Sequence, residues 1–284
     1  MKVQAVSALK AEHRLEVLLQ VAGLARSTFF YHQARLTAPD PQAELKAAIR
    51  SAFTKTNGRY GHRRIHSMLI TAGWSVAKKT VLKLMRQLGL VCHVRRKKRY
   101  NSYQGEVGRV APNLLERNFD TDAPNKKWVT DVTEFRIGED KLYLSPVMDL
   151  FDRQIISYSI GISPNLELTC SALHAAVATL EPGQRPLVHS DQGFQYQHSS
   201  WRRILNGANA IQSMSRKANC LDNAVIESFF GHLKEELFHH TRFLTIEALR
   251  VALVEYLHWY NHDRIMTKHK GLSPVQYRTQ ALAA

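Results

Sequence analysis

The segment KWVTDVTEFRIGEDKLYLSPVMDLFDRQIISYSIG, residues 127–161, decides the fold class of this 284-residue chain. Its three apolar stretches are rich in β-branched and aromatic residues, and Gly138-Glu139-Asp140 and Asp152-Arg153 separate them. Such stretches between hairpin-sized turns predict a three-stranded antiparallel meander. The elements predicted next are a helix, a strand, a helix and a strand, at about residues 166–180, 186–191, 199–206 and 210–216. This order predicts a mixed α/β sheet with helices on its faces.

The segment LDNAVIESFFGHLKEE, residues 221–236, is predicted to form a largely buried helix, with Asp222 or Asn223 as its N-cap. At about 100° per residue, the polar positions of this helix fall on one narrow stripe. The stripe comprises Asn223, Glu227, Gly231 and Lys234. Glu227 is therefore either a ligand on a packed helix or part of an exposed stripe with nothing bound.

Three carboxylates occupy positions where a charge is costly. Asp131 lies inside the first predicted strand, Asp191 ends the fourth, and Glu227 lies on the late helix. A buried charge needs a partner or a metal, and Mg²⁺ prefers oxygen ligands. Two such ions about 4 Å apart can activate the attacking oxygen and stabilise the leaving oxygen in phosphoryl transfer. The three residues are thus candidate metal ligands, and Lys234 is a candidate phosphate contact.

Other titratable groups are rivals for this site. Asp149 follows an apolar strand and is a candidate ligand or supporting group, whereas Glu134, Asp140 and Asp152 are predicted to be exposed or in turns. His189 either orders a ligand or is a satisfied core histidine. His239-His240 has no partner at zinc-ligand spacing, so a cationic role near a helix C-terminus is favoured over a zinc site.

The positive charge of the chain is concentrated in its first third. The net charge is +15, and residues 1–110 hold 21 Lys and Arg against 5 Asp and Glu, whereas residues 111–284 hold 18 against 19. A basic arm on a neutral body indicates nucleic-acid binding, although a solvated basic surface has the same composition.

This basic third is predicted to be helical. Residues 13–36 show two helices with a break at Gly23, the second opened by Ser27 as N-cap, and residues 42–90 show three more. Both patterns fit helix-turn-helix motifs, although small structural bundles look similar. The predicted domains are a helix-turn-helix (1–40), a second helix-turn-helix bundle (41–94), a basic linker (95–122) and a catalytic domain with a C-terminal helix and basic tail (123–284).

Candidate DNA contacts follow from this charge distribution. The linker begins with RRKKR, residues 95–99, and is expected to lie along phosphates, unless it is only a disordered tether. The full candidate set is Lys234, Asn223, Arg95, Arg96, Lys97, Lys98, Arg99, Lys78, Lys79, Arg63 and Arg64.

Several classes of protein are disfavoured. No apolar run reaches the roughly 18 residues of a membrane-spanning helix, and the N-terminus lacks the apolar region of a signal peptide. The three cysteines, Cys92, Cys170 and Cys220, are too few and too widely spaced for a disulfide framework. A soluble cytoplasmic protein is expected.

The carboxylate spacing resembles the DDE signature of retroviral integrases and related transposases. Thirty-five residues separate Asp191 from Glu227, and Lys234 follows seven residues after Glu227. The surrounding sequence is similar to the second reading-frame product of the bacterial insertion-sequence family IS3, especially its IS150-like branch. The segments that carry this resemblance are WVTDVTEF, KLYLSPVMDLF, HSDQGFQY, SMSRKANCLDNAVIESFFGHLKEE, YNHDRIMTKHKGLSPVQYR, RYGHRRI and RRKKRY.

The resemblance implies an RNase H-like fold and a transposase activity. Asp131, Asp191 and Glu227 would hold two Mg²⁺ ions, with Mn²⁺ as a substitute, and Lys234 would contact DNA near the scissile phosphate. The enzyme would cut the terminal inverted repeats of its own element and join 3′-hydroxyls to target DNA by direct transesterification. It would act as a homo-oligomer on DNA, often fused by frameshifting to an upstream-frame helix-turn-helix protein. The zinc-binding His-His-Cys-Cys arrangement of the retroviral relatives is not found in this sequence.

Two further hypotheses belong to other functional classes. One is a DNA-binding regulator with a catalytically idle α/β domain, which is motivated by the tandem helix-turn-helix patterns. The other is an RNase H-type nuclease without joining activity. DNA binding without turnover favours the first, and cleavage of an RNA–DNA hybrid favours the second.

Overall fold

A computed structural model describes residues 2–92, 110–216 and 220–283. Its first helices are α1 (Lys2–Leu9), α2 (Leu15–Ala22) and α3 (Arg26–Thr37). Val6, Leu19 and Phe29 form a small core between them. Gly23 ends α2 in the left-handed conformation, at φ 61°, where a residue without Cβ is favoured. The predicted N-cap of α3 was wrong, because Ala25 holds that position and Ser27 lies inside the helix. Helix α1 was not predicted.

A second helical bundle has its own apolar core. It consists of α4 (Ala43–Lys55), α5 (His62–Thr71) and α6 (Lys78–Gln87), close to the three predicted helices. Ile49, Ile65, Val81 and Leu84 are fully buried between them. The predicted all-α region before the sheet is therefore confirmed.

A mixed sheet forms the centre of the remaining chain. Its strands are β1 (Lys127–Thr130), β2 (Thr133–Ile137), β3 (Asp140–Asp149), β4 (Ile155–Gly161), β5 (Leu187–Ser190) and β6 (Ile211–Met214). Strand β3 pairs antiparallel with β1, β2 and β4, which confirms the predicted meander. Strand β1 pairs parallel with β5, and β5 pairs parallel with β6. The single strand predicted over residues 127–137 is interrupted, so Asp131 lies directly after β1 rather than inside a strand.

Helices cover both faces of the sheet. Successive residues of a strand point to opposite faces, so each strand supplies side chains for packing on both sides. Trp128 packs with Trp201 and Leu173 under α7 (Leu166–Val177), α8 (Phe194–Gln197) and α9 (Ser199–Gly207). Val129 points the other way and packs with residues of α10 (Ala224–Leu233) and α11 (Ile246–His262). The predicted α/β architecture with helices on both faces is confirmed.

The predicted helix over residues 221–236 is divided into three parts. A 3-10 turn (Cys220–Asn223) precedes α10, and a π-helical turn (Lys234–Phe238) follows it. Asn223 holds the N-cap position, as one of the two predicted alternatives, but its side chain makes no capping bond. Beyond α11, the chain forms a short 3-10 turn (Thr267–His269) and α12 (Pro274–Ala283). Among the described helices, none has both the length and the apolar character needed to cross a membrane.

The second helical bundle docks against the end of α11 and the residues beyond it. Arg59 Nε donates to the carbonyl of Glu236 at 3.1 Å. Tyr60 Oη accepts from the backbone nitrogen of Ile265 at 2.8 Å, and Arg64 Nε donates to the carbonyl of Ile265 at 2.9 Å. The segment RYGHRR is therefore a domain contact in this fold.

Candidate active site

Two of the candidate carboxylates meet at one edge of the sheet. Asp131 directly follows β1, and Asp191 directly follows β5. These strands are parallel neighbours, and their register aligns Val129 with His189. Asp131 and Asp191 each lie two residues further on, at the same level of the sheet. The parallel pairing therefore brings together two side chains that are distant in sequence.

The two carboxylates carry like charges, which affects the pKa of Asp131. Burial raises the pKa of Asp131 well above its usual range, and repulsion by Asp191 raises it further. Burial also raises the pKa of Asp191. Each carboxylate accepts one short backbone hydrogen bond, from Val132 N to Asp131 Oδ1 at 2.7 Å and from Gly193 N to Asp191 Oδ1 at 2.9 Å. Asp131 and Asp191 are therefore neighbouring like charges that a cation would stabilise.

Helix α10 and the π-helical turn after it add a carboxylate, that of Glu227, and an ammonium group, that of Lys234. Glu227 lies in the first turn of α10, is partly buried, and contributes a smaller repulsion that also raises the pKa of Asp131. Lys234 begins the π-helical turn, and its charge lowers the pKa of Asp131. Lys234 Nζ also lies 5.4 Å from the ring centroid of Phe135. The predicted stripe thus directs Glu227 and Lys234 towards the Asp131–Asp191 pair.

The donor chemistry of this site fits Mg²⁺. Its members are carboxylates, and Mg²⁺ is bound in proteins through one or two carboxylates together with water and phosphate oxygens. Across residues 2–92, 110–216 and 220–283, no three His, Cys, Asp or Glu side chains converge as a formed metal cluster. Asp131 and Asp191 are the close pair, and Glu227 acts on Asp131 less strongly than Asp191 does.

The rival carboxylates belong to a different part of the fold. Asp149 Oδ2 accepts from Asn125 N at 2.7 Å and from Arg278 Nη2 at 2.7 Å. Arg278 Nε also contacts the carboxylate of Asp152. Asp152 lies in a turn, which is one of the two places predicted for it, but it is not exposed, because both aspartates are fully buried. Asp149 is therefore an anchor for α12 rather than a neighbour of Asp131.

The candidate histidines have protein partners. His189 is fully buried, with Nδ1 2.8 Å from Ser213 Oγ and Nε2 3.1 Å from Ser215 Oγ. Burial lowers the pKa of His189 to about 4. Of the two interpretations of His189, the satisfied core histidine fits these contacts. His240 Nε2 lies 2.9 Å from Glu235 Oε1.

The candidate DNA contacts are not equally accessible. Lys78 and Lys79 are exposed in the first turn of α6, and Arg63 is exposed on α5. Arg64 is held in the domain contact, and Asn223 is buried, with 4% of its surface exposed. We therefore do not retain Arg64 and Asn223 among the proposed DNA contacts. The predicted contacts Arg95, Arg96, Lys97, Lys98 and Arg99 lie outside the described residues.

Sequence reasoning missed the part played by Asp222. Its carboxylate is almost fully buried and accepts from Arg117 Nε at 2.9 Å and from Arg216 Nε at 3.0 Å. These bonds fix the turn that begins α10. The polar pair Asp222-Asn223 before an apolar helix was the available signal, and it was interpreted only as a cap.

The chain is similar to domains and proteins that are already known. Two models, each described as an integrase core domain, match residues 121–220 and 227–282, and a model of an HTH-like domain matches residues 40–98. A protein of Escherichia coli K12 described as transposase InsK for insertion sequence element IS150 is 45% identical over 278 residues, which cover 98% of both chains. Transposase InsF for insertion sequence IS3A, also from Escherichia coli K12, is 33% identical over the full length of both chains. Among solved structures, the simian T-cell lymphotropic virus intasome contains a chain that is 19% identical, with a TM-score of 0.47, covering 80% of this chain and 73% of that one.

Proposed function

Because the chain belongs to the IS3 family of insertion-sequence transposases, in its IS150-like branch, we propose that it cuts DNA at the terminal inverted repeats of its own element and joins the 3′ ends to target DNA. The observation that carries this proposal is the position of Asp131 and Asp191 at the carboxyl ends of two adjacent parallel strands. Asp191 repels Asp131, and a cation bound at this edge of the sheet would relieve that repulsion.

Asp131, Asp191 and Glu227 are the proposed ligands of two Mg²⁺ ions, with Mn²⁺ as a substitute. When bound, such ions would stabilise the attacking and the leaving oxygen in an in-line displacement at phosphorus. The backbone N–H groups of Val132 and Gly193 orient the two aspartates through their Oδ1 atoms. Lys234 holds a DNA phosphate beside the carboxylates. The nucleophile is water in cleavage and a 3′-hydroxyl in joining, and no covalent bond to the protein forms.

The helical part of the chain supplies the proposed DNA-binding surface. Lys78 and Lys79 lie at the N-terminus of α6, where the helix dipole adds to their positive charge. Arg63 and the basic residues 95–99 extend this set in sequence. Such contacts to phosphates position the protein, and they weaken with increasing salt.

The proposed assembly is a homo-oligomer on DNA, since two element ends must be brought together for joining. An upstream-frame helix-turn-helix protein, fused by frameshifting, is a second proposed partner. Comparing this chain with such a fusion in the same assay tests whether the partner is needed for cleavage or for binding.

The test is metal-dependent cleavage and joining of duplexes that carry the ends of the element. Asp131→Asn, Asp191→Asn and Glu227→Gln should each abolish products in Mg²⁺ and Mn²⁺ while DNA binding persists. Glu134→Gln is the matched control, because Glu134 is an exposed carboxylate bonded to Lys141 and Tyr143. Its activity should equal that of the wild type.

The remaining outcomes separate the competing hypotheses. Products from all three ligand variants would overturn the proposed site. DNA binding without products in either metal, for this chain and for the fusion, would favour a regulator with an idle α/β domain. Cleavage of an RNA–DNA hybrid without joining of DNA ends would favour a nuclease.

A further inference from the structure

The dipeptide Asp222-Asn223 lies where the three carboxylate-bearing elements meet. Asn223 Nδ2 donates to the carbonyl of Thr130 at 3.3 Å, and Thr130 immediately precedes Asp131. Glu227 follows Asn223 by four residues, one turn into α10. One buried amide therefore connects the end of β1 to the start of the helix that carries Glu227.

Asp222 holds the same turn from the other side. Its two carboxylate oxygens accept hydrogen bonds from Arg117 Nε, Asn113 Nδ2 and three nitrogens of Arg216, at 2.9–3.1 Å. The carboxylate is almost fully buried, and the bonds from the two arginines are charge-assisted. The turn before α10 is thus fastened to the segments that precede β1 and follow β6.

The third element is reached through His189. His189 Nε2 lies 3.1 Å from Ser215 Oγ, and the next residue, Arg216, donates its backbone N–H to Asp222 Oδ2 at 3.1 Å. His189 lies on β5, two residues before Asp191. Asp222-Asn223 therefore contacts β1 next to Asp131, is linked to β5 near Asp191 through Ser215 and Arg216, and continues into the helix of Glu227.

We propose that Asn223 is a positioning residue that fixes the distance between Asp131 and Glu227 through its amide bond to Thr130, with Asp222 as the anchor of the same turn. This inference rests on the proposed function of the three carboxylates. It replaces the DNA contact that the sequence alone indicated for Asn223, because a residue with 4% exposure inside the protein has little surface for a phosphate.

The physical reason is that carboxylate ligands must be held to within a fraction of an ångström for metal binding. Thr130 O is a buried acceptor at the end of β1, and the side-chain amide of Asn223, the N-cap residue of α10, donates to it. Removal of this amide frees the start of α10 to shift relative to β1. Outer groups that orient ligands typically change metal affinity about 10- to 100-fold when they are removed.

The test compares Asn223→Ala and Asn223→Ser in the full chain. Serine is a good N-cap residue, but its hydroxyl is too short to reach Thr130 O, so it separates a bridging role from a capping role. Asn261→Ala is the matched control, because Asn261 also joins a helix to a strand, through two bonds to Ile155 at 2.8 and 2.9 Å, on a strand that carries no candidate ligand. The measurements are Mn²⁺ binding by electron paramagnetic resonance, duplex affinity in EDTA, and thermal unfolding.

Both Asn223 variants should bind Mn²⁺ about tenfold more weakly than the wild type, with duplex affinity changed by less than about twofold. The Asn261 variant should bind Mn²⁺ like the wild type. Loss of duplex affinity with unchanged Mn²⁺ binding would overturn the inference and restore a DNA contact. Wild-type Mn²⁺ binding by Asn223→Ser would likewise overturn it, because capping alone would then explain the residue.

A wild-type chain that binds no Mn²⁺ would overturn the proposed metal site and this inference together. If the wild type and both Asn223 variants bind Mn²⁺ equally well, only the inference about Asn223 is overturned. If Asn223→Ala unfolds at the working temperature, Asn223→Ser still tests the inference, because serine is also a preferred N-cap residue. Weaker Mn²⁺ binding by Asn223→Ser supports the inference, and wild-type binding overturns it.

Discussion

Arg264 and Glu236 form a bidentate ion pair inside the protein, with Arg264 Nε 2.8 Å from Glu236 Oε2 and Arg264 Nη2 2.6 Å from Glu236 Oε1. Their side chains are only 2% and 4% exposed. Arg64 of the second bundle lies 3.6 Å from the same carboxylate, and Tyr256 Oη donates to it at 2.8 Å. Glu236 is therefore a shared acceptor for the helical bundle and the sheet domain.

Glu236→Gln should destabilise the protein, because it leaves the buried guanidinium of Arg264 without its counter-charge. Breaking one side of a buried pair typically costs about 3–5 kcal/mol. Urea unfolding followed by circular dichroism measures the change, and Glu255→Gln on the exposed face of α11 is the control. Equal stability of the two variants would contradict this role of Glu236.

Gly193→Ala should impair metal binding without unfolding the protein. A Cβ at this position would lie 2.8 Å from Gln195 Oε1, which would have to shift, and 3.0 Å from Asp191 Oδ1, so the carboxylate would be displaced slightly. We expect Mn²⁺ affinity to fall about tenfold, as for other groups that orient ligands. Gly207→Ala is the control, since a Cβ there meets nothing within 4 Å. Identical Mn²⁺ titrations for both variants would refute the prediction.

The buried Asp149 should make stability depend on pH. Burial raises the pKa of Asp149 to about 6, from 3.8 for an ordinary aspartate. The folded state then binds the Asp149 proton more tightly than the unfolded state does. The resulting contribution to the free energy of unfolding is fully present below pH 3.8 and is lost as pH rises through about 6. The change is about 3 kcal/mol at most. Urea unfolding between pH 4 and pH 7 should show this decline in stability for the wild type but not for Asp149→Asn. The control Asp140→Asn, at an exposed aspartate, should show the same decline as the wild type. A parallel pH profile for wild type and Asp149→Asn would contradict the prediction.

Lys78→Ala and Arg64→Ala should have different effects on DNA binding. Lys78 is exposed, so its loss should weaken binding to all duplexes and reduce the slope of log affinity against log salt by about 1. Arg64 is committed to Ile265 and Glu236, so its loss should lower stability and leave the salt slope unchanged. Fluorescence anisotropy over a range of salt concentrations distinguishes the two variants. A reduced slope for Arg64→Ala would return that residue to the DNA-binding surface.

The periodicity and charge of the sequence determined the elements of the fold. The apolar stretches of residues 127–161 predicted the meander, and the stripe through Glu227 and Lys234 predicted which face of α10 is polar. These features are local: a strand or helix requires its apolar residues at fixed intervals, wherever the element packs. The basic first third was also visible, because net charge is a property of composition alone.

Only the tertiary structure decided which charged residues belong together. Asp149 and Asp191 look alike in sequence, since each ends an apolar strand. Strand β3 runs antiparallel to β1 and aligns Asp149 with Trp128, at the opposite end of β1 from Asp131. Strand β5 runs parallel to β1, and its end brings Asp191 to Asp131. Similarly, Arg63 and Arg64 are adjacent in sequence, yet one is exposed and the other is held by Ile265. Strand direction and domain docking depend on contacts between distant segments, and no local pattern encodes them.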